Sequence, residues 1–329
     1  MNSAILDSIE PFYVMEILEQ AQKYEKKGIN ISHLEIGEPT EKINKIIKER
    51  AIEAIKNNND RYTHSLGLQE LRIAIAAKYK KNTGVNISEE RVVITTGSSG
   101  AIILGLLSTI EQNDEVVIVE PHYPCYPQLV KVFGGQIKLF TTSSEENYQI
   151  NINKLKKIIT KKTKLIIVNS PSNPTGVTQS PEVLKSIADL GIKVISDEIY
   201  QELNYKYKID TMLNYKDDAI IVNGFAKFYS MTGWRLGYLI APKNMIRNMQ
   251  KLQQNMFICA PTISQYSAIG AFQIDDEEIQ KMKNDYKIKR NFVIKKLNEI
   301  GMSIDYNPDS TFYVLCNMEK FNIDSLELS

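Results

Sequence analysis

The stretch NGFAKFYSMTGWRLGY, residues 223–238, joins two apolar runs that have strand composition, AIIVNG (219–224) and RLGYLIA (235–241). Lys227 and Arg235 stand eight residues apart in it, beside the only tryptophan of the chain. A lysine amine can form an imine with an aldehyde, and an arginine can hold a phosphate with paired hydrogen bonds. Both residues could also belong to an ordinary strand–loop–strand. The pattern becomes informative if the rest of the chain supplies further contacts to a ligand that carries both groups.

The composition excludes several classes of protein. A length of 329 residues suggests two domains or one large one. Lysine and arginine number 40 against 39 acids, so no overall charge favours nucleic acid or an anionic membrane. The N-terminus lacks the basic region of a secretory signal, and no apolar run approaches the length of a transmembrane helix.

Cysteine and histidine positions predict neither disulfides nor a metal site. The cysteines are odd in number and far apart, which is typical of reduced thiols in a cytoplasmic protein. The histidines have no ligand spacing. These residues are Cys125, Cys259, Cys316, His33, His64 and His122.

Short β-branched runs alternate with helical patterns from about residue 91 onward, which predicts an α/β domain around a mostly parallel sheet of seven strands. Amphipathic helices are predicted over 43–55, 68–79 and 277–300, and a last strand over 310–316 (STFYVLC). We expect an N-terminal arm and part of a small α+β domain in 1–45, a large domain in 46–276, and the rest of the small domain in 277–329. The seven strands are predicted at 91–95, 115–120, 136–140, 164–169, 193–197, 219–224 and 235–241.

Polar groups follow five of these strands, and ligands bind at the carboxyl ends of strands in open α/β sheets. After the first strand, TGSSGA opens a helix at Gly97, so the amides around Ser98 and Ser99 could hold a phosphate. The alternative is a plain serine N-cap. After the second strand, EPHYPCYP offers Tyr123 or Tyr126 to stack on a flat ring, although loop tyrosines more often only pack.

The third and fourth of these motifs predict contacts to a heteroaromatic ring. In NSPSNPTG, Asn173 offers an amide donor to a phenolate oxygen, and the prolines make the turn rigid. Asp197 ends an apolar strand, where a buried carboxylate needs a cation such as a pyridinium nitrogen. Pairing with Asp197 would keep the ring nitrogen protonated, and a protonated ring accepts electrons more readily. Tyr200 can donate to the same ring oxygen as Asn173.

The fifth motif contains Lys227. A free lysine amine has a pKa near ~10.4, which must fall for the amine to act as a base or nucleophile at neutral pH. Partial burial and the neighbouring Arg235 both act in that direction.

These motifs in this order resemble the class I and II aminotransferases, of the pyridoxal phosphate enzymes of fold type I. The resemblance covers most of residues 11–241, through LEIGEPT, RYTHSLG, TTGSSGA, EPHYPCYP, NSPSNPTG, SDEIY and KFYSMTGWRLGY, and more loosely extends to about 316. It implies a chain that transfers an amino group between an amino acid and a 2-oxo acid. The cofactor is then pyridoxal 5'-phosphate, and the enzyme is a cytoplasmic homodimer.

The resemblance also implies a role for each matching residue. Lys227 would form the Schiff base and move the proton, with Asp197 at the pyridine nitrogen and Asn173 and Tyr200 at the ring oxygen. Tyr123 would stack on the ring, Ser98, Ser99 and Arg235 would hold the phosphate, and Tyr62 would reach the phosphate of the partner subunit. Gly37 and Asn173 would contact the substrate.

The chain departs from the family pattern in two places. Ala226 stands where many relatives have serine, and backbone amides can still serve the phosphate. Relatives also continue into a segment that bears the arginine for the substrate carboxylate, and no residue here is assigned that role. Two alternatives therefore stay open: a cofactor-binding chain with little turnover, and a pyridoxal-dependent β C–S lyase that uses the same cofactor contacts.

Overall fold

The structure, a computed structural model, describes residues 4–328. Within that range seven strands form one sheet, in the order β1-β7-β6-β5-β4-β2-β3. Four neighbouring pairs of strands are parallel, namely β6–β5, β5–β4, β4–β2 and β2–β3. Strand β7 is antiparallel to both β1 and β6. The strands are β1 (Val92–Thr96), β2 (Glu115–Glu120), β3 (Gln136–Thr141), β4 (Thr163–Asn169), β5 (Lys193–Asp197), β6 (Ile220–Gly224) and β7 (Leu236–Ile240). The predicted α/β class with a mostly parallel seven-stranded sheet is confirmed.

The antiparallel direction of β7 decides where Arg235 lies. Leu236, the first residue of β7, pairs with Thr96, the last residue of β1, and Gly237 pairs with Gly224 at the end of β6. Arg235 therefore lies at the edge of the sheet where the parallel strands end. This edge is the one at which ligands bind in open α/β sheets.

Helices cover both faces of the sheet. Alternate strand residues point to opposite sides, so Val117 belongs to one buried cluster, and Val116 and Ile118 belong to the other. The central helix α5 is apolar nearly all round because it packs against β6 and β7 and is itself covered. The helices are α1 (Ala4–Asp7), α2 (Tyr13–Glu25), α3 (Lys45–Lys56), α4 (Gln69–Thr83), α5 (Gly97–Leu107), α6 (Cys125–Val132), α7 (Ile152–Ile158), α8 (Pro181–Ala188), α9 (Lys243–Met256), α10 (Thr262–Ile269), α11 (Asp276–Ile300) and α12 (Ser325–Leu328).

The predicted strand over 310–316 is wrong. Its backbone bonds go to separate loops: Ser310 N donates to Gly176 O, and Thr311 N donates to Leu203 O. Thr311 also has a φ of +55°, which interrupts an extended backbone. Apolar alternation alone could not reveal that the segment follows loops of the large sheet and not a neighbouring strand.

The long helix predicted near 277–300 is confirmed as α11. It contacts the segment that follows it, because Arg290 donates to the Pro308 carbonyl and Tyr286 packs against the ring of Phe312. The division of the chain into domains at residues 45 and 276 stays a prediction. Between residues 4 and 328 there is no helix with the length and apolar character needed to cross a membrane.

Candidate active site

A cavity of about 340 Å³ lies at the edge where the parallel strands end. Its wall is formed by residues of β4, β5, α5 and the loop after β6. Phe12 from the N-terminal part of the chain and Tyr313 from the C-terminal part also contribute. The predicted site residues in its lining are Gly37, Ser98, Tyr123, Asn173, Asp197, Tyr200 and Lys227.

Asp197 ends β5 and is 4% exposed. Its Oδ2 accepts a hydrogen bond from Tyr126 Oη at 2.7 Å, and its Oδ1 accepts one from the Ile199 amide at 3.2 Å. Both donors are neutral, so burial dominates and raises the pKa of Asp197 to about 6. A carboxylate in this position is stabilised by a cation placed in the cavity, which fits a protonated pyridine nitrogen.

Lys227 follows β6 and points into the same cavity. Its Nζ donates to the Gly37 carbonyl at 2.6 Å. Burial lowers the pKa of Lys227 to about 8; Glu38 opposes this shift and Arg235 adds to it. A substantial neutral fraction of this amine therefore exists near neutral pH, as a nucleophile or base requires.

Asn173, Tyr200 and Tyr313 form a polar group on one wall of the cavity. Tyr200 Oη donates to Tyr313 Oη at 3.0 Å, and Asn173 Nδ2 lies 3.5 Å from Tyr200 Oη. The backbone N–H of Asn173 donates to Asn169 Oδ1 at 2.6 Å, which stabilises the turn after β4. Asn173 and Tyr200 are thus close enough to serve one acceptor, and their shared contact to a ring oxygen stays a prediction.

The start of α5 provides a place for an anion. Gly97 has a φ of +69°, and a Cβ there would meet the Arg235 guanidinium at 2.7 Å. Gly237 is packed so closely that a Cβ would lie 2.4 Å from the Gly97 carbonyl carbon. Arg235 and the first amides of α5 therefore converge, and a helix N-terminus beside a guanidinium suits a phosphate.

Three predicted residues lie outside the lining of the cavity. Ser99 is exposed on the first turn of α5, and Arg235 is an exposed neighbour of Gly97. Tyr62 is 79% exposed.

Sequence reasoning missed two contacts. The Tyr126 hydroxyl donates to Asp197, and the Tyr200 hydroxyl donates to that of Tyr313, 113 residues away in the sequence. The proline-flanked YPCYP run signalled the first, whereas nothing local signalled the second. Phe12, Val14 and Met15 also line the cavity.

The fold and the cavity together define a class of protein. A buried acid, an amine of lowered pKa and an anion site surround one cavity at the carboxyl ends of parallel strands. These groups match the ring nitrogen, the aldehyde and the phosphate of pyridoxal phosphate. The geometry is that of a pyridoxal phosphate enzyme of fold type I.

Comparison with known proteins identifies the family. A sequence model described as "Aminotransferase class I and II" matches residues 29–324. The (5-formylfuran-3-yl)methyl phosphate transaminase of Methanocaldococcus jannaschii is 38% identical over 97% of this chain and 85% of its own length. Aromatic-amino-acid aminotransferase 2 of Thermococcus litoralis is 32% identical over 98% and 85%. The structure of Thermus thermophilus aspartate aminotransferase with maleate superimposes with a TM-score of 0.92 at 28% identity, over 97% of this chain and 86% of that one.

The chain belongs to the class I and II aminotransferase family. It is a pyridoxal-phosphate-dependent aminotransferase that acts on an amino acid and a 2-oxo acid. The expected family, fold, reaction and cofactor are confirmed.

Proposed function

We propose that Lys227 is the amine that joins the cofactor aldehyde and moves the substrate proton. The observation that carries this role is the shared cavity of Lys227 and Asp197, with the amine's pKa lowered to about 8 by burial. The Gly37 carbonyl accepts a hydrogen bond from Nζ at 2.6 Å and so orients the amine toward the cavity. Gly37 and Asn173 then lie beside the bound amino acid and serve as its contacts.

Asp197 and the polar wall orient the ring. When bound, the cofactor supplies an electron sink that makes the Cα–H bond of the amino acid acidic. Asp197 holds the pyridine nitrogen protonated, Asn173 and Tyr200 hold the ring oxygen, and Tyr123 stacks on the ring face. Lys227 Nζ would take the proton from Cα of the amino acid and deliver it to the carbon on the other side of the substrate nitrogen, the former aldehyde carbon of the cofactor. The same residues act in reverse order on the 2-oxo acid.

Ser98, Ser99 and Arg235 hold the phosphate at the start of α5. Tyr62 supports a homodimer, because a tyrosine that is 79% exposed gains by burial against a partner subunit. In that dimer Tyr62 reaches the phosphate of the partner subunit. We assign the enzyme to the cytoplasm, in line with its three unpaired cysteines.

Borohydride reduction tests the role of Lys227. Reconstituted protein should be yellow, and reduction should attach the cofactor mass to the peptide that contains residue 227. Lys227→Ala should bind cofactor through its phosphate contacts without imine absorbance. Lys138→Ala is the matched control and should behave as the unchanged protein. Lys138 lies on β3 and forms an ion pair with Glu115 of β2. An adduct that persists in Lys227→Ala would refute this assignment.

An acceptor assay separates the remaining alternatives. An aminotransferase requires a 2-oxo acid, whereas a C–S lyase releases ammonia and pyruvate from a sulfur amino acid without one. A chain that forms the imine but turns over no amino acid would fit the cofactor-binding alternative. Size-exclusion chromatography with light scattering tests the homodimer, and a monomer at micromolar concentration would contradict it.

A further inference from the structure

Tyr126 provides a side-chain hydrogen bond to Asp197, the acid that faces the ring nitrogen in the proposed site. Its Oη donates to Asp197 Oδ2 at 2.7 Å, a short bond of the charge-assisted type. Tyr126 is 2% exposed and lies at the start of α6. Within residues 4–328, Asp197 is the hydrogen-bond partner of this hydroxyl, so the hydroxyl dipole is directed at the carboxylate.

The surrounding residues fix the direction of that bond. Tyr126 packs edge-on against Tyr123, with ring centroids 5.6 Å apart, and Tyr123 packs edge-on against Phe12 at 5.8 Å. The phenol ring therefore has little freedom to turn away from Asp197. The Ile199 amide binds the other carboxylate oxygen at 3.2 Å, so the plane of the carboxylate is held from both oxygens.

The bond also acts on the charge of Asp197. Burial raises the pKa of the carboxyl group, and the Tyr126 hydroxyl is the strongest of the groups that lower it again. A donor that binds the charged form keeps the acid ionised. An ionised and oriented carboxylate is what a pyridinium nitrogen requires.

We propose that Tyr126 is a positioning residue that keeps Asp197 ionised and aimed at the pyridine nitrogen of the cofactor. The inference rests on the proposed function of Asp197. Tyr126 itself touches neither the substrate nor the reacting atoms. Its effect is specific to the ring nitrogen and leaves the phosphate and aldehyde contacts unchanged.

Two cofactor analogues isolate that effect. Cofactor-free protein is titrated with pyridoxal phosphate and with its 1-deaza analogue, in which a CH group replaces the ring nitrogen. The unchanged protein should prefer pyridoxal phosphate. In Tyr126→Phe the preference should fall about tenfold, the typical effect of one charge-assisted hydrogen bond, while affinity for the deaza analogue stays the same.

Tyr215→Phe is the matched control. Tyr215 Oη also donates to a carboxylate, Asp210 Oδ2, at 2.6 Å, but it lies outside the lining of the cavity. Its removal should leave the preference unchanged. If Tyr126→Phe does not fold, 3-fluorotyrosine placed only at position 126 keeps the shape and makes the phenol a stronger donor. The preference should then rise above that of the unchanged protein.

Three results would contradict either the role of Tyr126 or the contact of Asp197 with the ring nitrogen. An unchanged preference in Tyr126→Phe, or in the fluorotyrosine protein where Tyr126→Phe does not fold, overturns the role of Tyr126. Equal weakening for both analogues also overturns it, because the residue would then only support the structure. If the unchanged protein binds both analogues equally, the proposed contact of Asp197 fails first.

Discussion

Two buried clusters of this molecule contain the same three kinds of side chain, a lysine, a carboxylate and a tyrosine. The cavity cluster consists of Lys227, Asp197 and Tyr126. The closed cluster consists of Lys78 on α4, Glu202 after β5, and Tyr229, two residues beyond Lys227 in the chain. Their difference shows how arrangement, and not residue type, separates a reactive site from a structural one.

In the closed cluster the opposite charges neutralise each other. Lys78 and Glu202 form a direct ion pair, with side chains 12% and 11% exposed. Tyr229 Oη accepts from Lys78 Nζ at 3.2 Å and donates to Glu202 at 3.3 Å. Burial pushes the pKa of Lys78 down, but Glu202 raises it above its ordinary value. The lysine therefore stays charged and unreactive.

In the cavity cluster the two charges bind neutral partners instead. Lys227 donates to a carbonyl, and Asp197 accepts from a phenol and an amide. Burial then moves both groups toward their neutral forms, the pKa of Lys227 to about 8 and that of Asp197 to about 6. The cavity between them leaves room for a cofactor that meets the amine with one end and the acid with its ring nitrogen.

Lys227→Ala should have the largest effect of these variants, with a large loss of turnover and little change in stability. We expect turnover to fall roughly 10⁴-fold, because both the covalent amine and the proton carrier are lost. The free energy of unfolding of the cofactor-free protein should hardly change, because Lys227 forms no ion pair with any residue between 4 and 328. A coupled transamination assay and urea denaturation measure the two quantities. A large loss of stability would mean that the lysine is structural after all.

Lys78→Met should show the opposite pattern. It leaves Glu202 buried without its cation, and we expect unfolding to require about 3–5 kcal/mol less. Cofactor imine formation should persist in the folded protein. The double variant Lys78→Met/Glu202→Leu is the control and should recover much of the loss, because no unpaired charge remains. Failure of the double variant to recover would show that packing, and not charge, dominates this cluster.

The pH dependence of stability should also differ between the clusters. In cofactor-free protein the pKa of Asp197 is raised from 3.8 to about 6, so the folded state binds a proton more tightly than the unfolded state. Stability from this group is therefore greatest below pH 4 and declines as pH rises from about 4 to 6, by on the order of 1–3 kcal/mol. Lys78 has a raised pKa, so its contribution is present below pH ~10.5 and is lost only above it.

Urea denaturation of Asp197→Asn across that range tests the first half of this prediction. The stability difference between this variant and the unchanged protein should vary between pH 4 and 6, and should be constant above pH 7. A constant difference from pH 4 to 7 would show that Asp197 titrates normally. Bound cofactor should reduce the variation, because a cation beside Asp197 lowers its pKa.

Tyr229→Phe should produce the smallest change. It removes one hydroxyl that bridges two charged groups which already contact each other, so we expect a loss of about 1 kcal/mol in stability. The preference for pyridoxal phosphate over its deaza analogue should not change, in contrast to Tyr126→Phe. Urea denaturation and analogue titration measure the two effects. A changed analogue preference would connect the closed cluster to the cofactor.

Much of the candidate site could be predicted because each residue lies beside an element with a strong local signal. Asp197 ends one β-branched run and Lys227 stands three residues after another, and parallel strands bring their carboxyl ends together at one edge of the sheet. Gly97 and Arg235 stand at the start of a helix and of a strand for the same reason. The roles of these residues stay proposals until the variants are measured.

Other features could not be predicted, because they depend on contacts between distant segments. The 310–316 run has the composition of a strand, but its donors bind the carbonyls of Gly176 and Leu203. The hydrogen bond between Tyr200 and Tyr313 likewise joins two segments that are far apart in the sequence. No periodicity within a segment records which carbonyl of another segment will accept its hydrogen bonds.

Local sequence patterns suffice to predict the strands, the central helix and the residues at the strand ends, because apolar periodicity and glycine placement act over a few residues. The folded chain, in contrast, pairs Lys78 with Glu202, places Lys227 against a carbonyl and binds Tyr126 to Asp197, none of which a local pattern indicates. These contacts matter because the pKa of a charged group depends on its burial and on its nearest partners. Those partners come from parts of the chain that folding brings together.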